Sequence, residues 1–132
     1  MVTWLLLGIG LYYLQVFTPS TFKMTKMGVW KYMGNRENDP DLSGMASRLE
    51  RATNNMKENF PVFAALAVAL IAVGEGDNSA ALVGAQMFVL LRLAFMLLYA
   101  AGVPVLRSIA MTGALIGLGV MAITLIDKTG IV

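Results

Sequence analysis

The sequence predicts an all-α fold: an integral membrane four-helix bundle, formed as a single domain over residues 1–132. Three observations carry this reading. Hydrophobic residues make up 58% of the chain and charged residues only 14%, far from the balance of a soluble domain of this length. Four apolar stretches can cross a bilayer when the interfacial residues beside them are counted: about 2–17, 45–74 with a cytoplasmic extension, 79–102 and 104–126. Finally, Lys23, Lys26, Lys31, Arg36, Arg48, Arg51 and Lys57 all fall between the first apolar stretch and the apolar part of the second, while the turn GEGDNS at 74–79 has no basic residue.

Each element follows in order. The first stretch, MVTWLLLGIGLYYLQVF, lacks a basic leading region and a small-residue cleavage site, so it predicts a retained span. The positive-inside rule makes the basic loop after it cytoplasmic and places both termini on the other side. Residues 18–47 read as irregular, with short helical pieces around Phe22 to Trp30, and Trp30 and Tyr32 lay that loop on the membrane surface. Ser43 is the expected N-cap of a second helix that projects beyond the bilayer and reaches lipid depth at Phe60-Pro61. The third span carries Arg92 deep within it, and the fourth opens at Pro104. Alanines in the second span, and Gly113-x-x-x-Gly117 in the fourth, permit the close helix contacts that an oligomer needs.

Composition also excludes whole classes of chemistry. With no cysteine and no histidine there is no disulfide, no thiolate metal site, no Cys nucleophile and no His base, and no metal is expected. The net charge of +2 reflects membrane topology and gives no reason to expect a nucleic acid partner. A proton-coupled exporter needs an embedded acid, and the first span has none.

The chemistry that remains centres on RLERATNNMKENFPVF, residues 48–63. At roughly 100° per residue, Arg48, Arg51, Asn55 and Glu58 share one face of the second helix, while Glu50, Asn54 and Lys57 point elsewhere. Such a face is either the solvated end of a membrane helix or a wall that recognises a zwitterionic small molecule. In the second case Arg takes a carboxylate, Glu an ammonium and Asn an amide. Arg92 must face the bundle and find a partner, for which Glu58 is the expected one; Tyr99 lies two turns on along the same face. Arg92 fits either a register-fixing ion pair or a ligand contact, and Tyr99 either an interfacial aromatic or a site residue. Arg107 is either a snorkelling anchor or a guanidinium that stabilises a thiolate, and in a chain without cysteine that thiolate belongs to a ligand.

Two separate motifs resemble one family. Arg51-Ala52-x-x-Asn55-x-x-Glu58-x-Phe60-Pro61-x-Phe63 and Arg92-x-x-Phe95-x-x-x-Tyr99-x-x-Gly102-x-Pro104-x-x-Arg107-Ser108 are similar to the signatures of the MAPEG family, membrane-associated proteins in eicosanoid and glutathione metabolism. The resemblance implies a homotrimer, with glutathione as co-substrate between neighbouring subunits near the cytoplasmic side. It implies that Arg48, Arg51, Asn55, Glu58, Arg92 and Tyr99 bind glutathione and that Arg107 and Ser108 are catalytic. The second reactant would be a lipophilic small molecule or lipid arriving through the membrane. The long first loop is closer to bacterial members, which implies a bacterial inner membrane, and Lys23, Lys26 and Arg36 are candidates for a further basic ligand. Two positions depart from the catalytic members: Phe95 stands where several have Tyr or His, and the Tyr99 to Arg107 spacing differs by about one residue. A glutathione-dependent transferase or peroxidase is the reading these residues favour, with a non-enzymatic lipid-binding scaffold of the same family as the alternative.

Overall fold

A computed structural model describes residues 1–34 and 42–130, all of whose regular structure is helical. The elements are α1 (Val2–Met27), α2 (Val29–Met33), α3 (Gly44–Ala72), α4 (Ser79–Ala101) and α5 (Pro104–Thr129). The candidate loop ligand Arg36 and its neighbours from Asn35 to Asp41 lie outside the described residues.

Helices α1, α4 and α5 are long and apolar enough to cross a bilayer. Their outward faces carry Leu6, Leu7, Leu14, Leu90, Leu97, Ile109, Ile116 and Ile123, all exposed. Such a belt would be a liability in water, and it is what lipid solvates. Helix α3 differs along its length: its first half is polar, and only the part after Phe60 is continuously apolar.

The first helix runs well past the expected end at residue 17. It continues through Pro19 to Met27, so the irregular segment expected from residue 18 is helical over most of its first half. Pro19 lacks the N–H that would bond the carbonyl of Gln15, and that carbonyl accepts instead from Thr53 Oγ1 on α3 at 2.7 Å. The hydroxyls of Thr18, Ser20 and Thr21 bond back to the carbonyls four residues earlier, which removes their own need for water. Replacing Thr53 by valine keeps the shape and orphans a buried carbonyl. The expected loss is about 1–3 kcal/mol, read from thermal unfolding in detergent.

The core is built on close helix approach. Phe63 and Phe88 stack at 4.4 Å between α3 and α4, and Phe63 packs against the bare backbone of Gly8 on α1. Between α4 and α5 the contact is tighter still. A Cβ on Gly84 would lie 2.6 Å from the Gly117 carbonyl oxygen, and one on Gly117 would lie 2.6 Å from that of Gly84. Gly113 faces Leu91 in the same interface. The Gly113-x-x-x-Gly117 pattern, expected to serve contact between subunits, therefore packs α5 against α4 within one chain. Because the obstacle is backbone, Gly84→Ala should force the helices apart and destabilise by about 1–3 kcal/mol in the same unfolding measurement.

The α3–α4 pair sets the site. Arg48 on α3 donates through Nε and Nη2 to the Ala100 carbonyl, at 3.2 and 3.0 Å, where α4 ends in left-handed Gly102. Seven residues along, Asn55 meets Arg92. Helix α5 then starts at Pro104, which places Arg107 and Ser108 in its first turns beside the end of α4.

Candidate functional site

Arg92 is the largest fully buried side chain in the molecule. Its Nη1 donates to Asn55 Oδ1 and approaches the Met111 sulfur at 3.4 Å. The guanidinium also lies 5.4 Å from the Phe88 ring centre and 5.6 Å from that of Phe95. Nε and Nη2 have no hydrogen-bond partner among the described residues, so two charged donors of a buried guanidinium are left over. Arg92 fixes which way Asn55 points: with Oδ1 engaged, the Nδ2 hydrogens are left for an acceptor outside the pair.

Above this pair an open pocket of about 280 Å³ is lined by Asn55, Phe95, Tyr99, Arg107, Ser108, Met111 and Thr112. Tyr99 organises its mouth. The Arg107 guanidinium lies over the Tyr99 ring at 4.3 Å and the Arg51 guanidinium approaches the same ring at 6.0 Å, so cations from α3 and α5 converge on one aromatic ring. Arg51 is held by the Ser47 hydroxyl at 2.7 Å, and Ser108 donates to the Pro104 carbonyl of its own helix at 3.0 Å. The N-terminus of α5 adds its positive end to the same region. Phe95 packs edge-on to Tyr99 and supplies no polar group. The whole arrangement presents cationic and amide donors to an anionic or zwitterionic guest.

The structure thus brings together Arg51, Asn55, Arg92, Tyr99, Arg107 and Ser108. Arg48 is elsewhere: expected on the ligand face, it caps the end of α4 instead. Glu58 does not meet Arg92, and the expected ion pair is replaced by the Asn55 contact. The reason is register. With Arg48 opposite Ala100 and Asn55 opposite Arg92, the antiparallel helices put position 58 near position 89, one turn from Arg92, and Glu58 is left exposed. Glu50, expected to point away from the ligand face, pairs with Lys23 at 2.8 Å. Met111 and Thr112 are lining residues that sequence reasoning missed; Met111 lies four residues after Arg107 and Thr112 four after Ser108, which puts them one turn further along the same side of α5.

A second, apolar groove of about 370 Å³ continues from this pocket along α5. It is lined by Ser108, Ile109, Thr112, Gly113 and Ile116, of which Ser108 and Thr112 are shared with the polar pocket. A guest with a charged head and a lipophilic neighbour would find both surfaces in contact.

No curated protein and no solved structure gives a significant match to the chain. The family model described as MAPEG family matches residues 1–126, nearly the entire length and both motif segments. This chain is a membrane protein of the MAPEG family.

Proposed function

We propose that the protein is a membrane-bound glutathione transferase or peroxidase that acts on lipophilic electrophiles. The observation that carries this reading is the convergence of Arg51 and Arg107 on Tyr99, above an Asn55 amide oriented by buried Arg92. The family includes glutathione transferases and related enzymes. The donor set suits glutathione: Arg51 for a carboxylate, Asn55 Nδ2 for a carbonyl or carboxylate oxygen, and Arg107 for the thiolate. Arg107 lowers the free energy of the sulfur anion after the thiol proton leaves to water. The anion then forms a C–S bond with the electrophilic carbon as that carbon's bond to a leaving group breaks and the group departs with the electron pair. With a peroxide, it takes one oxygen as the O–O bond breaks and the other leaves as alcohol, a second glutathione thiol then displacing water to give the disulfide. The electrophile would lie along the apolar groove from Ser108 to Ile116, entering from lipid.

In this reading the apolar half of α3 completes a fourth span, so that residues 1–132 form one four-span domain. Three copies assemble, with glutathione between neighbours, and both termini lie on the non-cytoplasmic side of a bacterial inner membrane. The pocket's openness in one chain is compatible with a neighbour supplying the missing wall, and exposed Glu58 is free to reach the ammonium of a glutathione bound there.

A lipid-binding scaffold is the second reading. It is favoured by Phe95, which offers no hydrogen bond where a polar ring would, and by Ser108, whose proton is engaged with its own helix. Calorimetry on the detergent-solubilised protein decides between them. A catalytic member should bind glutathione at millimolar concentration or below and show thiolate absorbance in the ultraviolet at neutral pH; absence of both favours the scaffold.

A further inference from the structure

Helix α2 has no buried residue, and its apolar side chains face outward: Trp30 is 89% exposed, Met33 73% and Val29 50%. At about 100° per residue these three occupy one side of the helix, and Lys31 and Tyr32 the other. Tyr32 turns inward to a small polar cleft of about 110 Å³ lined also by Ser20, Lys23, Glu50, Asn54 and Lys57. Through Tyr32, α2 thus rests on the body of the protein, and its other side carries a large aromatic with none of the described residues over it.

The depth of α2 follows from α1. Twenty-six helical residues rise about 39 Å, close to the ~40–45 Å of a bilayer with its headgroups. Gly28 then turns the chain at φ +81°, so α2 begins at headgroup level. Exposed Lys26 and Lys31 flank the apolar side chains, and exposed Lys57 lies nearby on α3. We infer that α2 is a membrane-surface anchor selective for anionic phospholipid: Val29, Trp30 and Met33 sit among the upper acyl carbons, and Lys31 meets the headgroup phosphates. A second copy of the chain is the poorer occupant. Three side chains fall far short of the ~800 Å² that each partner of a stable protein interface buries, and copies would bring like charges together. Anchoring of this kind fixes the height of the α1–α2–α3 end against the leaflet, and it stands whether or not the protein uses glutathione.

The chain has two tryptophans, so Trp4→Phe leaves Trp30 as the only indole. This variant, full length, is reconstituted in phosphatidylcholine vesicles with or without phosphatidylglycerol, using lipids brominated near the headgroup end or near the methyl end of the acyl chain. The inference expects blue-shifted emission and about threefold stronger quenching by shallow than by deep bromines. Shallow quenching should rise with phosphatidylglycerol, and Lys31→Glu should abolish that rise while the helical circular dichroism stays unchanged. Water-like emission without quenching overturns the inference. Blue-shifted emission that neither lipid quenches also overturns it, because protein then covers Trp30. Equal quenching in neutral and anionic vesicles overturns the selectivity for anionic lipid.

Discussion

Asn55→Ala should be among the most destabilising single changes in the protein, costing roughly 3 kcal/mol, although Asn55 itself is only half-buried. The loss is felt at Arg92. That guanidinium is fully enclosed, its one oxygen acceptor among the described residues is Asn55 Oδ1, and its remaining neighbours are the Met111 sulfur and two aromatic rings. Sulfur and ring faces attract a cation weakly compared with an amide oxygen. Removing Asn55 therefore leaves a charge desolvated and almost unpaired. Arg92→Met, by contrast, deletes the charge, keeps an unbranched apolar chain, and should cost about 1 kcal/mol.

The double variant separates this account from a simple loss of packing. With Arg92 already methionine, truncating Asn55 has nothing left to unpair, and the double variant should be nearly as stable as Arg92→Met alone. The coupling expected from the cycle is about 3 kcal/mol, read by thermal or denaturant unfolding in micelles. Additive losses would mean that Asn55 and Arg92 act independently. Glutathione binding should respond differently: every variant in the cycle should weaken it, because the oriented Asn55 amide is absent or released in all of them. Stability and affinity thus part company in Arg92→Met, which a merely structural Arg92 would not produce.

What could be read from the sequence follows from how far each fact reaches along the chain. The Arg51 to Asn55 spacing and the Arg92 to Tyr99 spacing are properties of single helices: Asn55 and Tyr99 line the pocket, and Arg51 and Arg92 touch those two lining residues from outside it. Glu58 as the partner of Arg92, and Arg48 as a ligand, required the register between α3 and α4. Helical periodicity carries no information about that register. The expected end of α1 at residue 17 follows the end of the apolar run; the helix continues through Pro19, and the hydroxyl that serves the freed carbonyl, on Thr53, is 38 residues away. The glycines of α5 were legible as a close-contact surface, but not as one facing α4 of the same chain, since Gly84 gives no local sign of being their counterpart. The Lys23–Glu50 pair is hidden for the same reason: Lys23 reads alone as a candidate basic ligand and Glu50 as a side chain off the polar face, and nothing local joins them.

Arg107→Ala should lower the conjugation rate by about 10²- to 10³-fold, the effect of deleting one preorganised group that stabilises a developing anion. Its guanidinium sits over Tyr99 in the first turns of α5, half-buried and with no carboxylate partner among the described residues. No carboxylate among the described residues neutralises the charge, which suits it to a ligand sulfur. A cation beside a thiol lowers its pKa, so removing Arg107 should return bound glutathione toward an ordinary thiol near ~8.5. The sign is then fixed: below that value the variant holds less thiolate than the parent, above it the two converge. Activity lost at neutral pH should be partly regained in alkali, with the ultraviolet thiolate signal shifting over the same pH range. Arg107→Lys keeps a charge but loses the planar stacking on Tyr99, and should fall between the parent and the alanine variant. Tyr99→Leu leaves Arg107 present without its aromatic platform; a rate drop there, with glutathione affinity less affected, would place the ring's contribution in holding the guanidinium at the sulfur. If Arg107→Ala leaves both thiolate formation and conjugation unchanged, the thiolate mechanism is wrong and the cations at Tyr99 serve binding alone.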